Sequence, residues 1–376
     1  MDSIVKNITL KGDKIIWIIV FALSLLSIMV VYSAAGWSDL ISHIVKLMIG
    51  LLAMYIVHLI PFKYFSKLGQ IGYFTSLLLL LMVLVIGVSI NGASRWINIA
   101  GLQFQPSDVA KLTVILYMAR QISINRDKLN SMQEIGWYVF TPLLVVCVLI
   151  LPNNFSTAAL VFVNGLVLMF VAKVKIGFIA RIVTISLLFV FGIYFISKYT
   201  ALGHEIMPRS ATWVSRIDSF FIDNQGDEVT KDFQQIQALV AVQKGGLTGL
   251  GPGKSTQRSI LPFSSSDFIY AIIIEEYGLL GGGIVLLFYL ILMFRAIRIS
   301  IKTESIFGSL LVVGLMFSLV FQALINMLVS LGFMPVTGQT LPFISMGGTS
   351  MVFSCIAIGI ILSVSRDSTD RNYAKA

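Results

Sequence analysis

Three carboxylates, Asp267, Glu275 and Glu276, stand where the chain passes from a polar segment, residues 199–266, into a strongly apolar one. A carboxylate in hydrocarbon costs about 2.5–3.5 kcal/mol even on the milder insertion scale, so each needs a partner, a wet cavity or a function. Asp267 follows Ser264-Ser265-Ser266 and precedes the apolar run. That position suits a helix N-cap, where free backbone N–H groups hold a carboxylate ionised. It also suits a general base toward a hydroxyl, or a ligand for a divalent cation such as Mg2+ or Mn2+. Glu275 and Glu276 are adjacent, so they cannot both face one cavity, and at least one is expected to be held by a bundle partner.

Cationic residues surround this stretch in sequence. Gly245-Gly-Leu-Thr-Gly-Leu-Gly-Pro-Gly lies between Lys244 and Lys254. It departs from the nucleotide-binding glycine pattern, because Thr248 stands where glycine is required and no strand precedes it. A flexible loop or an anion-binding loop aided by Arg258 remain as readings. Arg209, Trp213 and Arg216 fall four and three apart, which places them on one helical face. Residues 231–244 read as an amphipathic helix along the membrane, with Phe233, Ile236, Leu239 and Val240 on its apolar side. Arg95 sits in Asn91-Gly-Ala-Ser-Arg95-Trp96, ahead of Gln105-Pro-Ser-Asp108-Val-Ala-Lys111. Pro106 suits a first helical turn, and Asp108 with Lys111 forms an expected i, i+3 ion pair that is either glue or cavity lining. Residues 326–348 are uncharged and rich in proline, glycine and hydrogen-bonding groups, including Gln339 and Ser345. Irregular backbone of this kind is tolerated at membrane depth beside a cavity, although a tight re-entrant turn is the plainer reading.

The elements that must position these groups are membrane helices. Of 376 residues, 57% are hydrophobic and 12% charged, against about 25% charge in a soluble domain. Residues 15–38, 68–94, 135–172 and 305–365 contain no Asp, Glu, Lys or Arg, and one crossing needs only about 20 residues. The pattern predicts an all-α polytopic membrane protein, a single integral domain over residues 1–376. Ten spans are expected: 14–34, 41–61, 69–90, 105–121, 136–152, 157–173, 177–197, 267–294, 305–331 and 348–365. Lysine and arginine fall on alternate loops, and the other short loops hold Arg95 alone. Both termini are therefore expected in the cytoplasm, with an uncleaved first span, a short tail at 367–376 and the long loop 199–266 outside, between spans seven and eight. The net charge of +9 reads as cytoplasmic loops facing anionic lipid rather than as a nucleic-acid surface. No cytoplasmic segment is large enough for a nucleotide. Cys147 and Cys355 lie in apolar runs and support neither a disulfide framework nor a metal cluster.

Together these motifs resemble the SEDS family (shape, elongation, division and sporulation), of FtsW and RodA type. The matching stretches are Gly92-Ala-Ser-Arg-Trp, Gln105-Pro-Ser-Asp-Val-Ala-Lys-Leu, Gly245 to Gly253, Leu261-Pro with Asp267-Phe-Ile, Glu275-Glu-Tyr-Gly, and Met334-Pro-Val-Thr-Gly to Gly348. The resemblance implies a peptidoglycan glycosyltransferase of the bacterial cytoplasmic membrane that polymerises lipid II at its outer face. It also implies a class B penicillin-binding protein as transpeptidase partner, among other membrane proteins of the divisome or elongasome. The family's essential acidic residue corresponds to Asp267. Two departures stand out: Asp108 replaces the family's usual glutamate, and Pro152-Asn-Asn-Phe-Ser-Thr157 lacks a frequent carboxylate. The compact chain and the stretch Arg209 to Asp218 are nearer the FtsW type. The implied chemistry is inverting glycosyl transfer, with Asp267 as base, directly or through a divalent ion. Arg209, Arg216, Lys111 and Lys254 are candidates to grip a pyrophosphate, and Arg95, Asp108, Lys244, Gln339 and Ser345 complete the expected substrate site. A lipid II flippase and a non-catalytic scaffold for a penicillin-binding protein are the competing classes.

Overall fold

A computed structural model describes residues 11–90, 93–99, 102–126, 131–200, 209–221 and 233–375. Its architecture is a helical bundle with one small sheet. Helix α1 (Lys14–Leu59) is broken at Gly36, whose φ of 78° is left-handed. Ser27 and His43 meet across the break at 2.7 Å, and the Trp17 and His58 rings at 5.4 Å. Sixteen residues of straight helix would instead span about 24 Å. The arms therefore run antiparallel, as the two expected spans 14–34 and 41–61. Asp13 caps the first arm, accepting from Ile15 N at 3.0 Å and Ile16 N at 3.3 Å. It also takes the Arg295 guanidinium, which ties the start of α1 to the helix Ile269–Lys302.

Helix α2 (Tyr64–Ile86) packs on α3 (Pro106–Ile124). Gly72 lets the two approach, since a Cβ there would press on the Thr113 methyl. Between them, in and just before the expected loop 91–104, the described residues form an antiparallel sheet, ordered β1 (Val88–Ile90), β2 (Ala93–Ile99), β3 (Leu102–Phe104). Val88 pairs with Trp96, and Ile97 with Phe104. The all-helical expectation is corrected here: β-branched and aromatic residues between α2 and α3, beginning within the expected span 69–90, pair as short hairpins.

Helices α4 (Met132–Ile135) and α5 (Thr141–Ile150) join through a π-helical turn, Gly136–Phe140. Pro142 at the start of α5 has no N–H to give, and such a turn accommodates it. Then follow α6 (Phe155–Val171), capped by Asn154, α7 (Ile176–Tyr199), α8 (Ser210–Phe221) and α9 (Phe233–Gly245). The chain closes with α10 (Ile269–Lys302), α11 (Ile306–Ser330) and α12 (Thr349–Lys375). Seven helices among the described residues are long and apolar enough to cross a membrane. Helix α11 lies at the centre, touching α3, α6, α10 and α12. Helix α7 turns bulky side chains such as Leu188 and Phe191 outward. Outward apolar residues on long helices match a lipid surround.

The expected span 267–294 is also corrected. Helix α10 breaks at Gly278, with φ 71°, and Tyr270 Oη donates to the Gly282 carbonyl at 3.1 Å. Ile269 to Tyr277 is therefore a short helix folded back on the longer arm, Leu279 to Lys302. Hydrophobicity runs through the break, so only the positive φ reveals it.

Candidate active site

The short first arm of α10 organises the site, with Asp267 just before it and Glu275 and Glu276 at its far end. Those ends are about 12 Å apart along the helix axis. Asp267 is not the N-cap. Phe268 holds that position without a side-chain bond, and the Asp267 N–H donates to the Phe263 carbonyl at 3.1 Å. The carboxylate is thus released from capping. The backbone around it is held instead: Asn326 Nδ2 donates to the carbonyls of Asp267 and Gln339, each at 2.7 Å.

Three arginines converge here from distant parts of the sequence. Arg95 on β2 and Arg209 ahead of α8 both donate to the Asn153 carbonyl, at 2.8 and 2.9 Å. Arg216 donates to the Val336 carbonyl at 2.9 Å. Between Arg209 and Arg216, Trp213 packs on Phe155 with ring centroids 5.0 Å apart. The predicted shared face of Arg209, Trp213 and Arg216 is therefore turned into the bundle. Burial and the neighbouring Arg209 and Arg216 push the Arg95 pKa down to about 10, while Asp267 works the other way. Arg209 is lowered by burial and by Arg216. Asp267 is half-buried, and the protein around it pushes its pKa up. A Ser266 hydrogen bond, Arg95 and Arg216 hold back part of that rise.

Residues 331–348 form the irregular shelf expected beside a cavity, with Gly338 against the carboxylate. Two candidates from the sequence, Gln339 and Ser345, hold this shelf in place. Gln339 Nε2 donates to Thr157 Oγ1 at 3.0 Å, and Ser345 Oγ donates to the Ser266 carbonyl at 2.6 Å. Asp108 and Lys111 form the expected ion pair at 2.9 Å. Lys111 also reaches Gln322 Oε1 at 3.3 Å, and Gln322 Nε2 donates to the Thr340 carbonyl at 2.8 Å. The pair thereby joins the back of the same shelf.

Lys244 and Lys254 are not brought to Asp267. Lys244 donates to Thr256 Oγ1 at 2.8 Å, beside Glu275 at the other end of the short helix. Glu275 accepts from Ser255, Thr256 and Gln257, and Glu276 from Ser33 on α1. The glycine-rich loop is correspondingly not an open anion cradle. Leu250 N and Gly251 N donate to the carbonyls of Glu275 and Glu276, both at 2.9 Å. Its glycines allow close backbone approach: a Cβ on Gly245 or Gly249 would overlap the α10 backbone. Helix α9, the amphipathic helix expected over 231–244, packs on α10. Its face Ala238, Ala241 and Gly245 is buried against α10, while Phe233 and Leu239 are exposed. A cavity of about 700 Å³ beside this loop, lined by Tyr32, Trp37, Arg258 and Tyr277, lies at the end of the helix away from Asp267.

The residues do not fit the resident Mg2+ or Mn2+ anticipated from the sequence. No group of three or more His, Cys, Asp or Glu forms among the described residues, and the guanidinium groups near Asp267 repel a divalent cation. The sequence reading missed Asn326, Asn153 and Val336. A buried asparagine in an apolar helix was the available signal for the first, whereas the others act through carbonyls that carry none.

The profile of the FtsW, RodA and SpoVE family, described as cell cycle proteins, matches residues 13–370. Stage V sporulation protein E of Bacillus subtilis (strain 168) is 31% identical over 375 residues, covering 95% of this chain and 97% of that protein. The probable peptidoglycan glycosyltransferase FtsW of Geobacter sp. (strain M18) is 30% identical over 368 residues, covering 94% and 96%. Among solved structures, a chain from a peptidoglycan synthase complex that coordinates polymerization and crosslinking superposes with a TM-score of 0.76 at 28% identity, covering 95% of this chain and 98% of that one. The rod shape determining protein RodA of Thermus thermophilus gives a TM-score of 0.67 at 25% identity, covering 95% and 97%. With its long apolar helices and a match along nearly its whole length, this chain is a multi-pass membrane protein of the FtsW/RodA/SpoVE family.

Proposed function

We propose that the chain is a peptidoglycan glycosyltransferase, nearer the FtsW type, that polymerises lipid II at the outer face of the bacterial cytoplasmic membrane. One observation carries the reading: the Asp267 carboxylate, at the start of the short arm of α10, lies within electrostatic reach of both Arg95 and Arg216. Asp267 removes the proton from an acceptor sugar hydroxyl, and that oxygen attacks the anomeric carbon of the donor. The bond from that carbon to the lipid-linked pyrophosphate breaks with inversion, and the diphosphate departs with the electron pair. A raised pKa makes the carboxylate a better base, and general-base help accounts for roughly 10²- to 10⁴-fold. Arg95, Arg209 and Arg216 supply the countercharge for the leaving diphosphate, the larger share of such catalysis.

The relative found in a peptidoglycan synthase complex supports a class B penicillin-binding protein as partner. In the purified protein supplied with lipid II, glycan strands should form, and Asp267→Asn should form none. Movement of fluorescent lipid II across liposomes without polymer would favour a flippase instead.

A further inference from the structure

We propose that Ser27 and His43, on the two arms of α1, position Asp267 by anchoring the irregular shelf behind it. The inference rests on the glycosyl-transfer reading for its kinetic part only. His43 is a titratable side chain that the steps above do not use, and it is 2% exposed inside the bundle. The Ser27 hydroxyl, also buried, donates to the Ile344 carbonyl at 2.7 Å and lies 2.7 Å from His43 Nε2. A serine hydroxyl has one proton, so with Ile344 receiving it the second bond is donated by His43. That assignment puts the ring proton on Nε2 and aims the serine at the shelf.

The path onward is short. Ile344 precedes Ser345, whose Oγ accepts from Leu341 N at 2.7 Å and donates to the Ser266 carbonyl at 2.6 Å. Met346 N donates to the Ser265 carbonyl at 2.9 Å. Ser265 and Ser266 lead directly into Asp267, and a Cβ on Gly338 of the same shelf would lie 3.5 Å from its carboxylate. The shelf does not hold this shape by local preference, because Phe343 sits at φ 66°, a costly region for an aromatic residue. It therefore depends on outside anchors, of which Tyr289 to the Pro342 carbonyl is another. A misplacement of about 1 Å at a reacting group can cost as much as 10²-fold in rate.

The test uses the full-length protein reconstituted with lipid II. Ser27→Ala and His43→Phe should lower kcat by about tenfold to a hundredfold while leaving KM for lipid II unchanged. His43→Gln, whose amide N–H sits where the ring Nε2–H was, should recover most of that loss. Amide hydrogen exchange over residues 338–346, read in the same proteins, should quicken in the first two variants and return toward wild type in the third. Wild-type exchange in Ser27→Ala and His43→Phe overturns the anchor, as does a loss of rate matched only by loss of folded protein. A wild-type protein that makes no polymer would overturn the glycosyltransferase reading alone, and the exchange data would still decide the anchor.

Discussion

Gly338 backs the Asp267 carboxylate so closely that a Cβ at that position would stand 3.5 Å from Oδ2. The glycine also has φ 65°, which an L-residue adopts at a cost of about 1–2 kcal/mol. Space is adequate, so conformation decides the outcome. Gly338→Ala should lower stability by about that amount and slow polymerisation through a shifted shelf, with lipid II binding retained. Thermal unfolding and initial rates on one preparation check it.

Asp267→Asn should remove activity and yet raise thermal stability. The folded pKa is raised above the unfolded value, so the native state holds the proton more tightly. Stability is then lost as pH rises from the unfolded pKa through the folded one, and the whole cost is present above the folded pKa. Asparagine removes that cost and keeps the shape. A variant that is inactive and melts lower than wild type would contradict the assigned pKa direction.

The acidic limb of the rate profile should report Asp267, with activity falling as pH drops through a pKa above the ordinary carboxylate value. Arg216 holds part of that rise back. Arg216→Gln should therefore move the limb to higher pH as well as weaken diphosphate binding. A limb that stays in place would separate Arg216 from the carboxylate.

Gly278→Ala tests the fold of α10. A Cβ there would overlap the Leu247 carbonyl at a backbone φ of 71°, so conformational strain adds to a clash with backbone that cannot give. A loss of more than about 2 kcal/mol is expected, measured by thermal unfolding.

Breaking the Asp108–Lys111 pair from one side should cost more than removing it. Asp108 is 3% and Lys111 15% exposed, so Asp108→Asn leaves a charge largely enclosed, at about 3–5 kcal/mol. The double variant Asp108→Leu with Lys111→Met should recover much of that stability. Equal losses in both would show that the pair is not coupled.

Much of the scaffold is legible without coordinates. The two arms of α1 fall where the uncharged run and its polar break place them, Pro106 starts α3, and Arg209, Trp213 and Arg216 share one face. These features depend on local periodicity, charge and proline chemistry. The misread elements depend on contacts instead. Val88–Ile90, Ala93–Ile99 and Leu102–Phe104 pair as a sheet, the α10 span folds at Gly278, and the glycine-rich loop spends its amides on the carbonyls of Glu275 and Glu276.

From residue order alone, this chain's membrane character, its family motifs and the singular position of Asp267 are determined, because hydrophobicity and charge act residue by residue over short windows. Only tertiary structure decides that Arg95 and Arg216 act on that carboxylate, with Arg209 beside them, while Lys244 is carried to the other end of a short helix. The reason is geometric. A single left-handed glycine reverses the chain at a point that hydropathy cannot register, and carbonyls such as those of Asn153 and Val336, which carry no side-chain signal, choose which cations reach the site.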